Sequence, residues 1–415
     1  KVRDAGSAKD AEAKQAAKAE APAKGRGKGG GGKGGAGKGP DADTSGFGDS
    51  IRLGETADSI FKGFGTIGVI ALAVALFWGF SGDRKAFLHS YLVAFMWILA
   101  IGLGALWWVT LQHLVNAKWS IVVRRVGELL SANMSTLAVL ALPIVVPTAL
   151  GNSDLYIWAS SEKMHADHLL HHKLAYLNVP FFVVRLFLYF AFWAALSQYL
   201  FKRSLLQDQA NKPEIVAGMA RVSAPSMIAI ALTLTFAAID FVMTLEPAWF
   251  STIFGVYYFA SCVLAVHASM ILALIWLQSR GILKKSVTVE HYHDLGKMLF
   301  AFIVFWAYIG FSQFMLIWYA NVPEETFWFK KRMAGDWGTI AWVLVFGHFV
   351  LPFFGLLSRH VKRNKKTLGF WAVWILAIHY VDLFWLVYPN GGAEVPFGLV
   401  DVLCLVGVVG VFVGI

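Results

Sequence analysis

Apolar residues in this chain come in long runs, not in alternation. From residue 63 onward, ten stretches are almost free of charge and long enough to cross a hydrocarbon core, which takes about 20 residues. They cover about 63–80, 87–111, 131–150, 179–201, 225–245, 251–278, 296–319, 337–357, 368–388 and 398–415. Runs of this length are too long for strands and predict helices. The polar segments between them are short and leave no room for a large soluble catalytic domain. The pattern therefore predicts an all-α polytopic membrane protein over residues 63–415, with ten transmembrane helices.

Residues 1–62 break this pattern. Residues 1–24 are rich in Ala, Lys and Glu, and residues 25–39 hold ten Gly, three Lys, one Arg and one Ala. Such a segment cannot bury enough apolar surface to offset its ordering entropy, and it reads as a flexible basic arm. Gly25, Gly27 and Gly30 match a dinucleotide fingerprint formally, but no strand precedes them and no apolar helix follows. The match is an accident of composition. Gly37-Lys38 is followed by Gly39, not by Ser or Thr, so it is not a phosphate-binding P-loop.

Composition agrees with the runs. Hydrophobic residues make up 57% and charged residues 15%, against about 45–50% and about 25% in soluble domains. A soluble α/β enzyme, a disordered chain and a disulfide scaffold are excluded. Both cysteines, Cys262 and Cys404, lie inside apolar runs and no CxxC occurs. Iron–sulfur, structural zinc and covalent c-type haem sites therefore have no ligands on this chain.

The net charge of +10 has a topological explanation. Of 36 Lys and Arg, the arm holds 12, the even-numbered loops 16 and the odd-numbered loops 7, with Arg185 inside a span. Basic residues favour the cytoplasmic side, so the arm, the even loops and both termini are expected inside. No nucleic-acid partner is needed to explain the charge.

Ionisable groups at membrane depth are costly, and each is a functional hypothesis. Arg185 and Asp240 lie in consecutive antiparallel spans, each roughly 8–9 Å from the outer end at ~1.5 Å per residue. An ion pair or shared network between them is expected, with Glu246 also toward the outer side. Asp382 and His379 are three residues apart and share one face of the ninth span. His348 sits near the midplane of the eighth span, ahead of Pro352, and His267 lies in the sixth. Ser197-Gln198 and Ser312-Gln313 add neutral hydrogen-bonding groups. These residue types admit four readings. Asp240, His267, His348, His379 and Asp382 could form a proton path, since histidines and carboxylates exchange protons near neutral pH. His348 and His379 could hold a haem b. A His or Asp could serve a quinone. Each could also be a satisfied polar residue between packed helices. In an outer loop, His165, His168 and His172 form one helical stripe beside His171. It reads either as a wet interfacial helix or as a zinc or copper site.

Four segments carry a resemblance. The first is the run Met243-Thr-Leu-Glu246-Pro247-x-Trp249-Phe-Ser251-Thr-x-x-Gly255-Val-Tyr257. The second runs from Trp107-Trp108 to Trp119-Ser-x-x-x-Arg124-Arg125. The third is His172-Lys173-x-x-Tyr176-Leu-Asn178-x-Pro-Phe181-Phe182-x-x-Arg185. The fourth is Gly310-Phe-Ser312-Gln313-Phe-x-x-x-Trp318-Tyr-x-Asn321-x-Pro323-Glu324-Glu325. Together they resemble the large membrane subunits of alternative complex III, within the wider polysulfide-reductase (NrfD-like) family, and most of all the ActF type. The likeness covers about residues 60–390. It implies two four-helix bundles plus two peripheral helices in a bacterial cytoplasmic membrane. It also implies a place in a quinol:acceptor oxidoreductase of the respiratory chain. The expected partners are an ActC-type sister subunit, a multihaem cytochrome c subunit, an iron–sulfur/molybdopterin-like subunit, lipids and the quinone pool. Haem c and iron–sulfur clusters would then sit on the partners, and this chain would carry no cofactor of its own beyond a quinone. The chain departs from the family at Ala248, where related subunits often carry His, and this weakens the case for quinol chemistry here. An autonomous proton-coupled transporter is the alternative class.

Overall fold

A computed structural model describes residues 54–166, 168–390 and 395–414, and the N-terminal arm up to residue 53, with its glycine motifs, lies outside them. Among the described residues the fold is all-helical, with no strand. Nine helices among the described residues are long and apolar enough to cross a membrane: α1 (Ala57–Ser81), α2 (Arg84–Leu114), α3 (Ile121–Ala149), α4 (Val179–Ala210), α5 (Pro213–Leu245), α6 (Phe254–Ser279), α7 (Val289–Ala320), α9 (Gly335–Leu357) and α10 (Lys365–Asn390). Between α7 and α9 stands α8 (Pro323–Met333), which is not apolar. The last expected span appears as α11 (Leu399–Gly414), a 16-residue apolar helix.

The centre of the fold is α2, whose most apolar stretch is 89% buried, with α6 beside it at 67%. α2 packs against α1, α3, α5, α6, α10 and α11, and α6 packs against α5, α7 and α10. Close approach of the two central helices depends on Gly104, where a Cβ would overlap the carbonyl of Cys262. At the periphery α1 is only 17% buried. It is held by a seam of small residues: a Cβ on Gly68 would meet the backbone of Gly410 and Val411, and one on Gly410 would meet Gly68.

Several helices begin or end outside the stretches hydropathy marks. α4 runs to Ala210, α5 starts at Pro213, and α7 starts at Val289. Hydropathy sees only the apolar part of a helix that continues into polar surroundings. Helix also begins at Glu55, within the segment expected to belong to the arm. α3 starts at Ile121, ten residues before its expected start, and is built in three pieces broken at Asn133 and Ala141. Pro143 has no N–H to continue the ladder there, and the Tyr91 hydroxyl donates to the Leu140 carbonyl at 2.7 Å.

Local sequence explains the ends. Asp83 and Asn178 accept from the backbone N–H three residues on, at 3.0 and 2.9 Å, and so cap α2 and α4. α7 ends at Asn321 in the left-handed region (φ 50°), and Pro323 opens α8 two residues later. The recognised Asn-x-Pro spacing is thus a helix stop followed by a helix start.

Alternate crossings gather the connections at two ends. One, the Glu246 end, carries the segments after α1, α3, α5, α7 and α10. The other, the Lys362 end, carries those after α2, α4, α6 and α9.

Candidate functional site

Three buried polar clusters stand inside this helical body. The first is the Arg185–Asp240 pair, toward the Glu246 end. Arg185 Nε donates to Asp240 Oδ2 at 3.0 Å and Nη2 to Oδ1 at 2.8 Å, a bidentate bridge. Asp240 is 0% exposed and Arg185 6%. Tyr176 and Tyr189 hydroxyls donate to the two carboxylate oxygens at 2.9 and 3.1 Å. Arg185 Nη1 donates to the Tyr176 carbonyl at 3.0 Å, and the guanidinium lies 3.9 Å above the Tyr176 ring and 4.3 Å above that of Phe181. Burial and the Asp240 charge both push the Tyr176 hydroxyl up from its ordinary value. Each carboxylate oxygen receives two donors. This is the geometry of a lock between α4 and α5.

Glu246 does not join that network. α5 ends in a tight turn at Met243–Leu245, and Glu246 beyond it pairs with Lys331 of α8 at 3.3 Å. The same region holds Arg332, which is 0% exposed. Its Nη2 donates to the Leu386 carbonyl at 2.7 Å and to Asn390 Oδ1 at 3.1 Å, and its guanidinium lies 3.7 Å above the Trp328 ring. Trp385 Nε1 donates back to the Arg332 carbonyl at 3.1 Å, while Trp328 stacks on Trp249 at 4.4 Å. Burial pulls the guanidinium below its ordinary value, and Glu246 acts in the opposite sense. Arg332 therefore ties α8 to the end of α10. Arg332→Met should cost about 2–3 kcal/mol, the value of hydrogen bonds to a charged group, while Lys331→Met, whose pair is half in solvent, should cost under about 1 kcal/mol. Thermal unfolding of the detergent-solubilised protein checks the difference.

The second cluster lies where α6, α7, α9 and α10 meet. Tyr257 Oη donates to Asp382 Oδ1 at 2.5 Å. Asp382, His379 and His348 are each 0% exposed. The rings of His348 and His379 are 6.4 Å apart, and His348 lies 3.8 Å from the Trp306 ring. Both nitrogens of both histidines, Asp382 Oδ2 and Trp306 Nε1 have no hydrogen-bond partner among the described residues. Buried polar atoms are rarely left so, and their concentration here makes this cluster the strongest candidate site.

The backbone presents His348 in an unusual way. Val345–Val350 forms a π-helical turn, a feature often found at functional sites. Pro352 supplies no N–H, so in this register the Gly347 carbonyl loses its acceptor role within the helix. Trp374 Nε1, from α10, donates to it at 2.7 Å instead. Gly347 is also a point of contact, since a Cβ there would lie 2.9 Å from Ile378.

His267 stands apart from this cluster. Its Nδ1 contacts the Val263 carbonyl at 2.7 Å, and its ring stacks on Phe302 and meets the edge of Trp108. Ten residues separate it from Tyr257 on the same helix, about 15 Å along the axis. The expected proton-path residues therefore divide: His348, His379 and Asp382 come together, whereas Asp240 and His267 occupy separate surroundings.

The third cluster, at the Lys362 end, is one that hydropathy hides. Glu128 is 1% exposed and His113 2%. Glu128 accepts from Ser204 Oγ at 2.8 Å and lies within ion-pair distance of Arg125 Nη1 at 2.7 Å, Arg124 Nε at 3.3 Å and His113 Nε2 at 3.5 Å. Arg125 also pairs with Asp208. Two members of a recognised segment, Arg124 and Arg125, thus converge on one buried carboxylate from α3.

No protein-family model matches this chain, and no curated protein matches it.

Proposed function

We propose that the chain is a redox-inactive membrane subunit of a bacterial quinol:acceptor oxidoreductase of the alternative complex III kind. In this reading it holds the complex together and moves protons across its own helix bundle. The observation that carries the proton role is the second cluster: a carboxylate, two imidazoles and a phenol, all buried where four helices meet. Such groups hold and pass protons, with hydroxyls and water between them. The assignment to a respiratory complex rests on the recognised motifs, which supply Glu246, Trp249, Tyr257 and the Asn321–Glu325 turn.

In this proposal the membrane-depth residues take different roles. Asp240 is saturated by four donors and anchors two helices. Asp382, with Oδ2 unbonded, together with His379 and His348, is the proton-carrying group, and Tyr257 holds its Oδ1. His267 and the His113–Glu128 pair stand toward the Lys362 end as further stations. The close contact of Gly347 with Ile378 favours protons over a haem b between His348 and His379, because a porphyrin needs a slot between these helices. Ala248, where related subunits often carry His, favours a quinone site on a partner subunit over one on this chain.

The test is Asp382→Asn in the native complex, purified and reconstituted in vesicles. Quinol-driven pH change should fall on the order of a hundredfold, the low end of what a positioned proton-transfer group contributes, while subunit content stays intact. Unchanged proton movement in Asp382→Asn would sink the proton reading. A protein that purifies without haem-bearing companions and transports a solute alone would favour the transporter class.

A further inference from the structure

Where α1 ends, α2 begins and α3 ends, the surface opens into a groove that none of the three clusters uses. Its volume is about 360 Å³, inside the range of about 300–1,000 Å³ for small-molecule clefts. Phe80 of α1 and Pro143, Val146 and Leu150, on the α3 side, make its apolar wall, and Arg84 and Asn152 complete the lining. Pro143 and Leu150 are seven residues apart, so this wall runs roughly 10 Å along the helix axis.

The polar groups collect at one end of the groove. Arg84 is the first residue of α2, placed by the Asp83 cap. Asn152 follows the end of α3, where Gly151 takes φ 80° and the Asn152 N–H donates to the Pro147 carbonyl at 3.0 Å. Arg84 Nε and Asn152 Nδ2 donate to one oxygen of Asp154, at 2.7 and 2.9 Å. The Asn152 hydrogen bond, with Arg84 beside it, holds the Asp154 carboxyl below its ordinary value. The Arg84 and Asp154 side chains are 49% and 35% exposed, so both charges are open to a ligand. Trp78 and Phe80 are 50% and 53% exposed at the same end of α1. Exposed aromatic rings at the end of a span mark the headgroup level, and Arg84 stands just beyond them.

We propose that this groove binds one phospholipid whose head carries both a phosphate and a primary ammonium, of the phosphatidylethanolamine class. The phosphate meets the Arg84 guanidinium, a charge-assisted contact, and the ammonium meets Asp154. An acyl chain lies along Phe80, Val146 and Leu150. A head with a phosphate and no ammonium would leave Asp154 facing a like charge, and a quinone brings no charge to either group. The lipid thereby bridges α1, the least buried of the long helices at 17%, to the end of α3.

Native mass spectrometry of the delipidated full-length protein tests the site, with phosphatidylethanolamine, phosphatidylglycerol and a short-chain quinone added in equal amounts. One saturable phosphatidylethanolamine per chain is expected in the wild type. Its binding should weaken about tenfold in Arg84→Gln, the loss of one charge-assisted hydrogen bond. Val146→Trp, which fills the groove, should weaken it as well, while Arg359→Gln, at the Lys362 end, should leave it unchanged. A phosphatidylethanolamine with a photoreactive acyl chain should crosslink in the wild type to Phe80 and residues 143–150, a readout that needs no variant to fold. Equal retention of phosphatidylglycerol, displacement by the quinone, binding unchanged in both groove variants, or crosslinks spread evenly over the exposed helices would each overturn the proposal.

Discussion

Arg185→Ala should be the most damaging single side-chain deletion in the protein, at about 3–5 kcal/mol, the range for breaking a buried ion pair. The reasoning turns on what stays behind. Asp240 keeps two phenol donors, from Tyr176 and Tyr189, but loses both charged ones and remains 0% exposed. A carboxylate in that position must either stay charged without a counter-ion or take up a proton. Arg185 also leaves its stacking place between Tyr176 and Phe181 and its bond to the Tyr176 carbonyl. Replacing both partners by apolar residues, as in Arg185→Met/Asp240→Leu, should recover much of the loss, since neither charge is then stranded. The double-mutant cycle, read as thermal unfolding in detergent, isolates the coupling. A double variant as unstable as the sum of the singles would remove the lock interpretation.

Gly104→Val should be nearly as severe, though no charge is involved. The obstacle on the other side is the backbone carbonyl of Cys262, with Val266 next to it. A side-chain neighbour can turn aside, but a carbonyl inside a helix cannot. α2 and α6 must therefore separate, and every contact along the central pair weakens with them. The cost is expected at or above the upper end of the about 1–3 kcal/mol that overpacking usually brings. Gly218→Ala supplies the contrast: its nearest neighbour is the Tyr199 hydroxyl at 3.9 Å, and alanine there should be neutral or stabilising by up to about 1 kcal/mol. The yield of monodisperse protein and its apparent Tm, compared between the two variants, decide the matter.

The sequence displays some of these features and hides others for physical reasons. Arg185 and Asp240 are readable together because each is isolated in a long apolar run, in adjacent antiparallel helices and at similar depth. His348, His379 and Asp382 are readable as a set for the same reason. Glu128 is not. Arg124 and Arg125 lower the local hydropathy so far that residues 112–130 look like a loop, although both pair with Glu128 in the folded chain. Glu246 reads as part of the outer-side network with Arg185, yet a three-residue turn redirects the chain and hands it to Lys331. Tyr257 has the appearance of ordinary packing until its hydroxyl is seen on Asp382. The π-helical turn at Val345–Val350 has no local signature beyond Pro352, because the group that completes it comes from another helix.

That dependence bears on how the molecule is made. The donor that completes the Gly347 carbonyl belongs to Trp374, 27 residues further along the chain. During synthesis α9 leaves the ribosome and enters the membrane before this indole exists beside it. The final placement of His348 is consequently a late event of biogenesis, settled when α10 docks, and the same docking delivers His379 and Asp382. The buried cluster around Asp382 is thus completed in one step, at the arrival of a single helix.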